Sequence, residues 1–447
     1  MTAAPRAMPP YGSRSLQKPS DGEEHPMPTM LLSGRREHIP PFPHHKAFIH
    51  RAAQYFFAAH PGVHLYQGDF ATIRETARSL SNRCFIPRAL LLDPTTACNL
   101  RCKGCWAADY RPGTELSFEK LYDILTQAEA LGIEECLMTG GEPLLRKADI
   151  LRLAQHHRRT HFGLFTNGLL VDEAFADEMV RLENINVFLS IEGWREQTDE
   201  RRGDGVFDRV VHAMDLLRAR GIAFGFSACY TAANADIVSG DAFLDFLREK
   251  GAWFGWLFQY LPIGSGADSS LVCPPEKRAM AMDRFAAYSR KHGMPLIDFW
   301  NLGHLIFGCI GAGTGFVHIN AAGDVEPCAF CHYSDSNLHD TSLKEALQSP
   351  FFRRFRAAQP FTDNPLRCCP LQSATDTLDR IVRETGARST HNGRPETPAE
   401  LGEKTHPVDE AWRPVADRIH AGFPDRVKQN GTIYRGYLAW KKRRIDG

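Results

Sequence analysis

Three cysteines, Cys98, Cys102 and Cys105, fall within eight positions of the stretch TTACNLRCKGCWAADY (95–110), directly after an apolar run. Thiolates are soft ligands that suit zinc or iron–sulfur clusters. A structural zinc site is four-coordinate and is usually built from paired C-x2-C units, so three ligands at this spacing would need a distant fourth. A [4Fe–4S] cube uses three cysteines differently: three irons are held and the fourth is left for a substrate or cofactor. The spacing favours the cluster and leaves zinc with a borrowed ligand as the alternative.

The elements that position these thiols follow from the rest of the chain. Its 447 residues are enough for two or three domains. Hydrophobic content of 43%, charge of 24% and zero net charge are ordinary for a globular protein and point to neither nucleic acid nor an anionic membrane. No apolar run reaches the roughly 20 residues of a transmembrane helix, and the N-terminus has no apolar signal core. Twelve cysteines in a large chain without an export signal suggest metal or redox chemistry in the cytoplasm rather than disulfides.

Residues 1–43 are expected as a loose arm, and 44–86 as a helical cap with helices over 45–59 and 70–82. From 87 to 300, strand-length apolar runs (88–93, 135–140, 161–167, 186–193, 223–230 and 254–262) alternate with helical stretches (117–131, 172–182, 207–220 and 240–250). Buried runs separated by helices mean parallel strands. These six units fall short of a full barrel, so the expected fold class is α/β, a partial (β/α)6 TIM-type barrel. In such folds the active residues follow the C-terminal ends of strands, and the cysteine cluster follows the first one. Residues 301–385 are expected as a small extension, with a hairpin over 308–335 turning at AAGD and a helix near 374–385. Residues 386–447 are expected as a linker and a basic tail whose KKRR end is a solvated face.

The run CNLRCKGC resembles the CxxxCxxC signature of the radical SAM superfamily, with the aromatic Trp106 after the last cysteine. The resemblance implies a [4Fe–4S] cluster whose open iron binds S-adenosylmethionine (SAM). An electron cleaves the sulfonium to give a 5′-deoxyadenosyl radical, an oxidoreductase chemistry carried by the cofactor while the protein positions and shields it. GGEP (140–143) follows the second strand, as in the family, where it contacts the SAM amino group. Gly140 and Gly141 let backbone approach closely, Glu142 and nearby carbonyls can accept from an ammonium, and Pro143 completes the motif. SIEGWREQTDERRGDGVF (190–207) resembles the family segment that supplies a polar residue to the ribose and an arginine to the SAM carboxylate, which maps to Ser190 and Arg202. An arginine fork suits a carboxylate. The alternative is that Arg201 and Arg202 form a solvated pair with Asp199 and Glu200. Asn167 and Ser227 are candidates to line the pocket or to sit as satisfied core residues. The loop YLPIGSG (260–266) is a candidate for the adenine, and the aromatics of 253–260 read first as core.

Cys309 and Cys328 frame C-x13-G-x4-C, with Gly323 inside. This resembles the opening of the SPASM/twitch extension, which binds auxiliary iron–sulfur clusters. The further C-x2-C-x5-C-x3-C run of a full SPASM domain is missing, so one auxiliary cluster is expected. Cys309, Cys328 and Cys369 are its first candidates, with Cys331, Cys368 or His332 as the fourth. Adjacent side chains diverge in extended backbone, so Cys368 and Cys369 are not expected to serve one cluster together. Zinc, or no metal, stays open here. Cys136 and Cys229 are expected as buried structural thiols, and Cys84 and Cys273 as inert.

The resemblance implies hydrogen abstraction from a small molecule or cofactor precursor, with reduced flavodoxin or ferredoxin as electron donor. A maturase acting on a ribosomally made peptide is one alternative. A non-catalytic protein stabilised by zinc or iron–sulfur is the other.

Overall fold

The strand Ala89–Leu92 (β1) is four aliphatic residues with no polar face, so it needs neighbours on both sides. The computed structural model describes residues 65–107, 114–264, 266–306, 308–391 and 395–447, all within one unit, Pro40–Gly447. The arm expected over 1–43 and the helix over 45–59 lie outside the described residues. The helix expected over 70–82 is Leu65–Asn82 (α1).

Six parallel strands form in the expected places: β1, Glu135–Met138 (β2), His161–Thr166 (β3), Ile185–Ser190 (β4), Phe224–Tyr230 (β5) and Ala252–Gln259 (β6). The helices between them are Phe118–Ala130 (α2), Lys147–His156 (α3), Glu173–Leu182 (α4), Arg195–Arg202 (α5), Val206–Ala219 (α6) and Asp241–Glu249 (α7). Their sequences show why they form. Ser117 and Asp172 cap α2 and α4 through their side-chain oxygens. Leu121, Ile124, Leu125 and Ala128 make one buried stripe on α2 at helical spacing.

The sheet has nine strands in the order β7-β6-β5-β4-β3-β2-β1-β8-β9. Leu296–Asp298 (β7) extends one edge after the helix Pro275–His292 (α8). At the other edge Phe316–Ile319 (β8) runs parallel to β1, with Ala89 opposite Phe316, and Val325–Glu326 (β9) returns antiparallel. The partial barrel and the hairpin are as expected. The hairpin, however, belongs to the barrel sheet, because FVHI is as buried as β1 and covers its open edge. Gly323 makes the turn with φ of 85°.

The expected linker and tail are folded. After the helices Pro350–Ala358 (α9) and Thr375–Thr385 (α10), the chain forms Pro398–Ala421 (α11) and Asp425–Ile445 (α12). The linker reading of 386–407 is corrected from Pro398 onward. Leu401, Thr405, Trp412, Val415 and Ala416 bury one face of α11, and Asp409 takes a two-pronged bond from Arg367 at 2.6 and 3.0 Å. Pro407 and Pro414 are carried inside this helix.

The solvated-face reading of KKRR holds for the exposed Arg443 and Arg444 and is corrected for Lys441 and Lys442. Lys441 is buried beside Glu75, and Lys442 donates to the Gln359 carbonyl at 2.7 Å. Next to them Arg356 has no exposed side chain. It pairs with both oxygens of Asp446 at 2.7 and 2.8 Å and donates to the Ala312 and Leu347 carbonyls. Removing one partner of a buried pair costs about 3–5 kcal/mol. Asp446→Ala should therefore lower stability by about that much in a denaturant titration. A loss below about 1 kcal/mol would mean that water satisfies Arg356.

Candidate functional site

The cysteine loop leaves the C-terminal end of β1 and is held from three sides. On the first, GGEP pairs back onto it: the Gly141 and Glu142 amides donate to the Thr95 and Ala97 carbonyls at 2.9 and 2.8 Å. A Cβ at Gly141 would lie 2.0 Å from the Ala97 oxygen, which is why glycine stands there. On the second, the Lys103 amide donates to the Arg201 carbonyl at 2.9 Å. On the third, Gly104, with φ of 64°, is packed so closely that a Cβ would come within 2.5 Å of the Tyr260 ring. Cys98 is exposed while Cys102 and Cys105 are half-buried. Burial, with the charges of Glu142, Cys102 and Cys105 adding to it, pushes the Cys98 thiol up. Burial, with Cys102 adding to it, pushes the Cys105 thiol up.

Glu142 is fully engaged by the protein. Its carboxylate accepts from the Leu144 amide at 3.0 Å, the Thr166 hydroxyl at 2.7 Å and the Asn167 amide at 2.8 Å. Burial raises its pKa against the pull of these donors. Asn167 then donates to Asn99, inside the cysteine loop, at 2.7 Å. Glu142 and Asn167 thus brace the loop from the ends of β2 and β3. Pro143 starts the short helical turn that follows.

The solvated-pair reading of Arg201 and Arg202 is overturned. Both lie against Glu192, a completely buried carboxylate just past β4: Arg201 Nη1 is 2.6 Å from Oε1, and Arg202 reaches the same oxygen through Nε at 3.0 Å and Nη2 at 2.5 Å. Oε2 accepts from the Cys229 amide at 2.8 Å. Burial alone would raise the Glu192 pKa, but the two arginines outweigh it and hold the carboxyl below its ordinary value. Asp199 and Glu200 go elsewhere, Asp199 to the Gly205 and Phe207 amides and Glu200 to Lys103. The remaining Arg202 nitrogen, Nη1, points at Cys102 Sγ, 3.9 Å away. Ser190, the last residue of β4, sits opposite Ser227 in the middle of β5, and neither hydroxyl has a partner among the described residues. Cys229, expected as a buried structural thiol, is half-buried beside Arg201, Glu192 and Cys105. Glu192 was missed because it lies in a run that reads as strand and turn.

The second cysteine group lies in one buried region. Cys309 and Cys369 act electrostatically on Cys328, Cys331 and Cys368, and burial pushes the Cys309 thiol up to about 12. His332 is less suited as a ligand than expected: Nε2 meets the Ala329 carbonyl at 2.8 Å and Nδ1 meets His391. Among the described residues no group of three or more His, Cys, Asp or Glu side chains is gathered for a single metal ion. The two cysteine groups approach each other through aromatic rings. Trp106, beside Cys105, lies 5.4 Å from Phe330, between Cys328 and Cys331. Below them His318 is buried between Asp93 at 3.0 Å and Glu326 at 2.6 Å. Burial would lower its pKa, but the two carboxylates raise it to about 10, so β8 and β9 are fastened to the end of β1 by an imidazolium.

Residues 92–231 match the radical SAM superfamily, and residues 309–370 match an iron–sulfur cluster-binding domain of the SPASM type. The chain thus carries a radical SAM domain followed by a SPASM domain. This radical SAM enzyme is 25% identical over 348 residues to an AdoMet-dependent heme synthase of Oleidesulfovibrio alaskensis, covering 70% of this chain and 88% of the other. It is 27% identical over 293 residues to the mycofactocin maturase MftC of Mycobacterium tuberculosis, covering 61% and 73%. Its fold resembles that of Streptococcus suis SuiB bound to S-adenosylmethionine, with a TM-score of 0.54 at 17% identity over 68% of this chain and 77% of that one. The two domains imply a [4Fe–4S] cluster, SAM and auxiliary iron–sulfur chemistry. No helix among the described residues is long and apolar enough to cross a membrane.

Glu192→Gln keeps the shape and removes the charge, leaving two buried guanidinium groups facing an amide. The expected loss is about 3–5 kcal/mol in a urea titration, with part recovered in Glu192→Gln combined with Arg201→Gln. An unchanged midpoint would show that the arginines are hydrated.

Proposed function

We propose that Cys98, Cys102 and Cys105 hold the [4Fe–4S] cluster of the radical site and that SAM lies against the ends of β2, β4 and β5. The observation that carries this reading is the placing of three soft donors within eight positions of the loop that leaves β1, inside the segment that matches the radical SAM superfamily. The donor chemistry fits, because iron holds thiolates deprotonated where burial alone keeps them as thiols. When bound, cluster and SAM together supply one-electron cleavage of the sulfonium and hydrogen abstraction from a C–H bond.

The chain's own residues divide the remaining tasks. The backbone of Gly140 and Gly141, followed by Pro143, offers carbonyls to the cofactor ammonium. Glu142 serves as a brace for this backbone, since its three donors already occupy it. Arg202 keeps Nη1 for the cofactor carboxylate while Nε and Nη2 stay on Glu192. Ser190, with its hydroxyl unpaired, is suited to the ribose, and Ser227 opposite it to the same pocket. We assign Cys309, Cys328, Cys331 and Cys369 to one auxiliary cluster, with Cys368 in reserve. The exposed Arg101 and Lys103 on the cysteine loop suit an acidic electron carrier such as reduced flavodoxin or ferredoxin, and free thiols of this kind suit the reducing cytoplasm.

The substrate we favour is a small molecule or cofactor precursor. The likeness to heme synthases over 70% of this chain and 88% of theirs supports this choice. A peptide substrate is the second reading, supported by the likeness to the maturase MftC and to SuiB, which was crystallised with its precursor peptide SuiA.

Replacing Cys98, Cys102 and Cys105 with Ala should abolish SAM cleavage after anaerobic reconstitution and leave about four irons per chain. Persistent cleavage would refute the assignment. Replacing Cys309, Cys328 and Cys369 should remove about four irons and spare uncoupled SAM cleavage, and an unchanged iron content would remove the auxiliary site.

A further inference from the structure

A cavity of about 520 Å³ lies between the loop after β6, α8 and α11. Small-molecule sites run from about 300 to 1,000 Å³. Its walls are largely apolar, with Pro262, Val272, Pro274, Val408 and Ala411 among them.

Two buried polar side chains line it with bonding capacity left over. Arg278 is 3% exposed and has no ion pair among the described residues. Its Nε donates to Asn301 at 2.9 Å, its guanidinium lies 3.9 Å from the centre of the Trp412 ring, and Nη1 and Nη2 meet no acceptor. Gln259, the last residue of β6, is equally buried. Its Nε2 reaches Gln372 at 3.4 Å, and its Oε1 has no partner. Of the charges nearby, Asp298 acts on Arg278 from a distance and none bonds to it. Lys404 is held by the Gly264 carbonyl and Glu396, and Glu403 is exposed. Asp298 is linked to Arg278 through Asn301 without a direct ion pair.

A buried guanidinium without an anion is unfavourable, and a carboxylate would meet both free nitrogens with parallel bonds. We propose that this cavity binds an apolar ligand by its carboxylate, with Arg278 as anchor, Trp412 as wall and Gln259 Oε1 accepting from a donor on the same ligand. The loop that walls the cavity also packs Tyr260 and Leu271 against Gly104 of the cysteine loop, so the occupant would lie beside the radical site. That the occupant is the substrate rests on the radical reading, whereas the binding itself does not.

The test is calorimetric titration of the full reconstituted chain, without SAM, with 3-phenylpropionate and its neutral counterpart 3-phenylpropionamide. The acid should bind saturably and at least tenfold more tightly than the amide. Arg278→Gln should weaken the acid at least tenfold and leave the amide unchanged. Ala411→Phe, which fills the cavity without touching the charge, should weaken both. Equal binding of acid and amide, no binding of either, or an acid affinity unaffected by Arg278→Gln would overturn the proposal. The wild-type comparison stands even if a variant fails to fold. N-acetyl-Ala-Ala-Phe distinguishes the source: tighter binding than 3-phenylpropionate, with the same Arg278 dependence, assigns the carboxylate to a peptide end. SAM cleavage assayed separately keeps the two readings apart. Acid binding without cleavage retains the site and removes the radical assignment, and cleavage without acid binding does the reverse.

Discussion

A carboxylate with no access to water, Glu192, fixes the side of the barrel that faces the cysteine loop. A lone buried charge would be driven to neutrality, and here two arginines from the following helix keep it ionised. Each partner is thereby placed. Arg201 offers its carbonyl to Lys103, Arg202 turns its third nitrogen toward Cys102, and Cys229 is tied down by its amide. One buried anion thus sets the wall of the site from β4, β5 and α5 together.

The opposite wall is built on the same principle with the signs exchanged. There a buried imidazolium, His318, sits between Asp93 at the end of β1 and Glu326 on β9. It joins the segment that carries the first cysteine group to the hairpin that carries the second, and the contact between Trp106 and Phe330 lies over this junction. The two thiol groups are therefore tied together by the polar contact buried at the C-terminal end of β1.

The strands and most helices were legible because each carries its own signal, an apolar run or a capped amphipathic stripe. The cysteine loop and GGEP were legible for a different reason, since their spacing is local. What escaped the sequence is decided by partners far along the chain. Glu192 looks like one acid among several in SIEGWREQTDERR, and nothing local says that it is the buried one. Glu142 reads only as a ligand contact, and nothing local says that Thr166 and Asn167 also use it as a brace. The helix α11 was hidden by Pro407 and Pro414, whose local preference is outweighed by the burial of Trp412 and the pairing of Arg367 with Asp409. Lys441 looked solvated because burial of an ammonium depends on Glu75, which no nearby residue announces.

The pairing of β1 with β8 also bears on the order of assembly. Ala89 waits for Phe316, so the first strand of the barrel is flanked on one side only until most of the chain has been synthesised. Contacts of such long sequence separation form late, because the loop must close before they are gained. The cysteine loop grows out of that strand and leans on its final neighbours through Asp93 and Trp106. On a nascent chain the cysteine loop would lack its far wall, so the loop takes its final form only once β8 and β9 have been made.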